Sequence, residues 1–181
     1  LDSSGYAMEE ALHRALSYSP KFSPLTIDGV AKVLVAGAVG GFPGLNPKTD
    51  YANVGMLIYV GTNPMVSHAH NTGMFNPAVW IKAAARRGEV WTIDPLFTET
   101  AKLSTRHIAA YPGKDYAILA WLVREIIDGG PLEAQQPVHG LEELRAVLQG
   151  LDRATAAEIA GVPEQDLEDL LAAIRRKGKV V

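Results

Sequence analysis

The chain has 181 residues, 48% of them hydrophobic and 20% charged, with a formal net charge of −3; this length suits one α/β domain burying roughly 70% of its unfolded surface. Basic residues are scattered apart from a short Arg175-Arg176-Lys177 run, which argues against nucleic-acid binding. The absence of cysteine excludes disulfides, thiolate metal ligation and an iron–sulfur cluster within this chain, and no apolar run approaches the roughly 20 residues of a membrane span.

Residues 6–17 carry Met8, Ala11, Leu12 and Ala15 at helical spacing, and a second helical pattern runs from Pro24 to Ala38. Gly and Pro make residues 40–47 a loop. Val54–Val60 is a continuous apolar run, as in a strand buried on both faces. Asn76–Arg87 reads as a helix with Pro77 in its first turn and Gly88 beyond its end. Glu89–Ile93 is a second buried strand, and His107–Tyr111 a third.

Asp115–Ile127 reads as a helix closed by Gly129-Gly-Pro131. From Leu141 onward the pattern is helical, with Leu167, Leu170, Leu171 and Ile174 on one face. Strands alternating with helices predict a Rossmann-like three-layer α/β domain with a mostly parallel sheet and a helical C-terminal segment covering one sheet face. Trp80, Trp91 and Trp121 fall in apolar patterns and read as core. The chain begins at Leu1 rather than Met and stops at Lys179-Val-Val181, which reads like the start of another strand. The expectation is an excised fragment of a larger multidomain protein, with the compartment, cytoplasmic or periplasmic, left open.

Three strand-to-loop corners carry the polar residues of interest. In Leu57-Ile-Tyr-Val-Gly-Thr-Asn-Pro64, Gly61 lets backbone approach a ligand, while Thr62 and Asn63 add short polar groups; a plain Asn-Pro turn is the alternative. In Trp91-Thr-Ile-Asp-Pro95, Asp94 follows the second strand, where a carboxylate can accept both ribose hydroxyls or simply shape the turn. Thr98 and Thr100 can donate to phosphate or satisfy the loop backbone. In Pro112-Gly-Lys-Asp115, Asp115 can cap the following helix or take paired N–H donors from guanine. The glycine fingerprint of ordinary dinucleotide sites is absent, since Val35-Ala-Gly-Ala-Val-Gly-Gly41 lacks its spacing. His68 and His70, two apart, do not share a helical face, so a zinc pair is not indicated. His13, His107 and His139 read as incidental.

Thr49-Asp-Tyr51 through Gly61-Thr-Asn-Pro64, Ser67-His68, Asp94-Pro-Leu-Phe-Thr-Glu-Thr-Ala101, Pro112-Gly-Lys-Asp115 and Ala157-Glu-Ile-Ala-Gly-Val-Pro-Glu164 together resemble the molybdopterin oxidoreductases of the dimethyl-sulfoxide-reductase type, over about residues 20–175. The resemblance implies an internal domain binding molybdopterin guanine dinucleotide with molybdenum or tungsten. The whole enzyme would transfer electrons or oxygen atoms, and the fragment alone would be inactive. By resemblance, Gly61, Thr62 and Asn63 line the dinucleotide, Asp94 holds its ribose, Thr98 lies near its phosphates, and Gly113 with Asp115 meets its guanine. Ser23, in Lys21-Phe-Ser-Pro-Leu-Thr26, takes the place of the metal ligand or caps a helix, and His68 orients cofactor or substrate or is a hydrogen-bonded structural histidine. Leu96-Phe97 stands where the family often has Arg.

The implied partners are the enzyme's other domains and electron-transfer subunits, with any iron–sulfur cluster outside this fragment and no direct membrane insertion. A scaffold homologue without cofactor, or an unrelated Rossmann-like nucleotide or sugar-nucleotide binder, is the alternative.

Overall fold

A computed structural model describes residues 3–16, 27, 29–42, 49–68, 75–129 and 139–181. They divide into two compact units, Leu1–Pro47 and Lys48–Val181.

In the first unit, α1 spans Ser3–Ala15, with His13 and Arg14 in its last turn, where cations suit the helix dipole. It runs close to the predicted 6–17. The second helix, α2, spans Val30–Gly40 and ends at Gly41, whose positive φ of 71° lets its N–H reach the Gly37 carbonyl. Its predicted start at Pro24 lies outside the described residues. Leu34, Val35 and Val39 are exposed and only Ala36 is buried, so the apolar residues of α2 do not form a core among the described side chains.

The second unit is built on three parallel strands, β1 (Met56–Val60), β2 (Glu89–Ile93) and β3 (Arg106–Ile108), in that spatial order. β1 pairs with β2 from Met56–Glu89 to Val60–Ile93, and β2 with β3 from Trp91–Arg106 to Ile93–Ile108. On the other side of β1, Val180 forms a parallel bridge to Met56, and the Ile58 N–H donates to the Val181 carbonyl at 2.8 Å. The last residues thus enter the sheet as a strand would, as their sequence suggested.

Between β1 and β2 lie a one-turn helix, α3 (Pro64–Ser67), and α4 (Pro77–Arg87). A short 3-10 turn, Ala101–Leu103, is the only helical piece between β2 and β3. Beyond β3 come α5 (Asp115–Asp128), α6 (Leu141–Leu148), α7 (Arg153–Ala160) and α8 (Glu164–Lys177).

Alternation along each strand sends residues to opposite faces. Met56, Trp91, Ile93 and Ile108 pack with Ile118 and Trp121 of α5, Ala156, Ala157 and Ala160 of α7, and Leu167 and Leu170 of α8. Leu57, Tyr59 and Val90 face the other way, onto Ile81 and Ala84 of α4. The result is a three-layer α/β arrangement with the C-terminal helices over one face, as predicted. Buried apolar area of this kind contributes about 25 cal/mol per Å².

Two expectations fail locally. β3 stops at Ile108 rather than Tyr111, because the Tyr111 N–H leaves the sheet to donate to the Ala160 carbonyl at 2.8 Å. Trp80 is 40% exposed on the flank of α4, its ring centroid 6.1 Å from that of Tyr51, so it is not core. Trp91 and Trp121 are buried as expected. Among the described residues no helix is long and apolar enough to cross a membrane.

Candidate functional site at the carboxyl ends of the strands

Because the three strands are parallel, the loops leaving β1, β2 and β3 emerge at one edge of the sheet. In open α/β sheets this is the edge where ligands bind, at the point where strand order reverses. That point here is β1, flanked by β2 on one side and by Val180 on the other.

The β1 corner starts at Gly61, with φ of 57° and nothing within 4 Å of where a Cβ would stand; its N–H donates to the Ile93 carbonyl at 2.9 Å. This is a left-handed turn that a glycine makes without strain and that leaves the backbone open to a ligand. Thr62 is half-buried, and its hydroxyl makes no hydrogen bond to the described residues.

Asn63 opens α3 with no side-chain cap bond. Its amide reaches across to the β2 loop instead. Oδ1 accepts from the Thr100 hydroxyl at 2.6 Å and the Thr100 N–H at 3.3 Å, and Nδ2 donates to Glu99 Oε2 at 2.8 Å. That amide bond is the main cause holding the Glu99 carboxyl below its ordinary range.

The β2 corner is pinned at Asp94, which is buried. Its N–H continues the ladder to the Ile108 carbonyl at 3.1 Å, and Oδ1 accepts from the Leu96 N–H at 2.9 Å, the turn role foreseen as one alternative. Oδ2 makes no hydrogen bond to the described residues. The Asp94 carbonyl lies 2.8 Å from His107 Nε2, and since a carbonyl only accepts, this nitrogen carries the proton.

The His107 ring also stands 5.3 Å from that of Phe97, centroid to centroid. His107 is therefore part of this corner, not incidental. No local signal marks it, because the register that sets Thr92 and Ile93 beside His107 and Ile108 is seen only in the structure. Leu96 and Phe97 are exposed. The Thr98 hydroxyl accepts from the Ala101 N–H at 3.2 Å, starting the 3-10 turn.

At the β3 corner, Gly113 has φ of 70° and open space at its Cβ position. Asp115 is the first residue of α5, while Lys114 holds the capping position without a side-chain bond. Asp115 is thus not the helix cap, and its carboxylate makes no hydrogen bond to the described residues. Tyr111 packs its ring over Gly161, the left-handed residue ending α7, where any Cβ would overlap the ring.

The structure therefore brings Gly61, Thr62, Asn63, Asp94 and Thr98 onto neighbouring loops at one sheet edge, with Gly113 and Asp115 following the third strand. His68 ends α3 in a left-handed conformation, φ 54°; it is exposed, and its ring makes no hydrogen bond to the described residues. Ser23 and His70 lie outside the described residues.

No family model matches the chain. It is 30% identical over 124 residues to the assimilatory nitrate reductase of Haloferax mediterranei, covering 68% of this chain and 17% of that protein. It is 26% identical over 156 residues to F420-dependent formate dehydrogenase 2 subunit alpha of Methanococcus maripaludis, covering 84% of this chain and 21% of that one. This chain is a relative of the molybdopterin oxidoreductases of the dimethyl-sulfoxide-reductase type.

Among solved structures, acetylene hydratase from Pelobacter acetylenicus superposes with a TM-score of 0.61 at 20% identity, over 74% of this chain and 18% of that one, which supports the fold. The chain spans only about a fifth of the length of these relatives. The kinship removes the reading as an unrelated Rossmann-like binder.

Proposed function

We propose that this chain is the part of a molybdenum- or tungsten-dependent oxidoreductase that binds molybdopterin guanine dinucleotide, the full-length enzyme carrying out electron or oxygen-atom transfer. The observation that carries this reading is the alignment of three polar corners at the carboxyl edge of one parallel sheet, with the strand order reversing at the first. The kinship with nitrate reductases and a formate dehydrogenase supports it.

The residues present fit a dinucleotide. Gly61 and Gly113 leave space where a side chain would stand, and Asp94 Oδ2 and the Asp115 carboxylate are not engaged by the described residues. In this reading Gly61 and Thr62 line the dinucleotide and Asp94 accepts from ribose. Thr98 lies near phosphate, and Gly113 with Asp115 receives the guanine. His68 is a candidate contact to cofactor or substrate, and Ser23 a candidate metal ligand. When bound, the cofactor supplies the redox chemistry, while this chain binds and orients it. Other domains of the enzyme complete the pocket, and electron-transfer subunits are the proposed partners.

Calorimetric titration of the 181-residue chain with GDP, with NADH and ADP as controls, tests the proposal. Guanine-selective binding is the expected outcome. No nucleotide binding would favour a scaffold homologue without cofactor, whereas selective NADH binding would overturn the guanine-dinucleotide reading. Metal analysis of the full-length protein would then separate those two readings.

A further inference from the structure

A continuous polar network runs beneath the β1 and β2 corners, and the hydroxyl protons in it can be assigned. The Ser104 hydroxyl donates to the Thr100 carbonyl at 2.9 Å, so its 2.7 Å contact with the buried Thr92 hydroxyl is one in which Thr92 donates. The Thr100 hydroxyl, fully buried, accepts from the Met65 N–H at 3.2 Å and spends its one proton on Asn63 Oδ1.

Asn63 Oδ1 then holds two donors, the Thr100 hydroxyl and N–H, which fill both lone pairs of a carbonyl oxygen. Reversing the amide would set Nδ2 against the Thr100 N–H, so the orientation is determined. With one Nδ2 proton given to Glu99, Asn63 has a single N–H left to offer any ligand.

We infer that Asn63, Thr100 and Glu99 form a buckle that fixes the β1 corner to the β2 loop, and that Thr100 is a positioning residue for the ligand bound between them. This rests on the nucleotide-binding reading and deepens it. The loop 61–67 is held at the α3 end by the Met65 N–H and at Asn63 by its side chain, both through one buried hydroxyl. Gly61 is tied to β2 by its own N–H on the Ile93 carbonyl, so the Thr100 hydroxyl sets the course of the loop beyond it, from Thr62 to Ser67. Asn63 acts from beneath the loop rather than as an acceptor toward the ligand.

The test compares T100V, which keeps shape and removes the hydroxyl, with T100S, which keeps the hydroxyl. A core variant, I81V, serves as a control for general loss of stability. Two readouts are taken on the 181-residue chain: GDP affinity, and amide hydrogen exchange of residues 61–67. T100V is expected to weaken GDP binding about tenfold or more, since the Met65 N–H loses its acceptor and Asn63 Oδ1 one of its two donors, with exchange across 61–67 accelerated by a similar factor. T100S should stay close to wild type, and I81V should leave both readouts unchanged below its melting temperature. Exchange in T100V equal to wild type would overturn the buckle, whether or not GDP binds. Wild-type protein that ignores GDP, while T100V still loosens residues 61–67, would instead count against the nucleotide reading.

Discussion

The β1 and β3 corners both begin from parallel strands and both contain a left-handed glycine, yet they are held in different ways. At the β1 corner the polar side chain, Asn63, is consumed inward by Thr100 and Glu99. At the β3 corner the polar side chain, Asp115, has no partner among the described residues, and the loop is steadied by packing, with Tyr111 seated over Gly161 and its N–H on the Ala160 carbonyl. One corner is tied down by its Asn63 side chain; the other is anchored at its apolar root and leaves its carboxylate available. A loop built the first way presents backbone to a ligand, and a loop built the second way presents a side chain.

That contrast can be broken from either side. The largest effect is expected from Thr100→Val, which leaves the part-buried Met65 N–H without its acceptor and Asn63 Oδ1 with one donor instead of two, at about 1–3 kcal/mol; thermal or urea unfolding would measure it. Gly161→Ala should cost about 1–2 kcal/mol for the left-handed backbone alone, with more from displacing Tyr111, and should loosen the β3 corner while leaving exchange of residues 61–67 at wild-type rates. Equal loosening of both corners would mean that they are not independently held.

Asp115→Ala should alter stability by no more than about 0.5 kcal/mol, since its carboxylate has no partner among the described residues, yet weaken GDP binding. Unchanged affinity would remove its guanine role. The smallest effect concerns pH. Because the folded-state pKa of Glu99 is lowered, chiefly by the Asn63 amide, its contribution is fully present above the ordinary Glu value of about 4.3. It is lost as pH falls through the lower folded value. Melting temperature should therefore show a shallow acid-side decline that Glu99→Gln flattens.

The elements themselves were largely legible in the sequence. Glu89–Ile93 was read with its observed bounds, and Pro77–Arg87 within a residue, because both carry strong periodicity and clear stops at Gly88 and Pro95. Ala109 and Ala110 misled the reading of β3, since their apolar character continues the strand pattern while the backbone has already turned toward α7. Trp80 misled in the other direction: it sits beside the buried Pro77, Ile81 and Ala84 stripe of α4 but just off its face.

For the site, the residue types and their corners could be read, but not which of them are spent within the fold. Nothing in the local sequence announces that Asn63 pairs with a threonine 37 positions away. The sequence offers Thr100 a phosphate or the loop backbone, and the structure gives its proton to a third partner, Asn63. His107 carries no mark in the sequence, because its neighbour, the Asp94 carbonyl, is adjacent only through the register of two parallel strands.

The bridge between Val180 and Met56 has a consequence for how the molecule forms. β1, β2 and β3 follow one another along the chain, whereas Val180 pairs with a strand from the far side of the sequence. Closing that long loop costs entropy that only the assembled core can offset. The final pairing should therefore be the last to appear in refolding and the first to open in unfolding, acting as a clasp on a sheet already made.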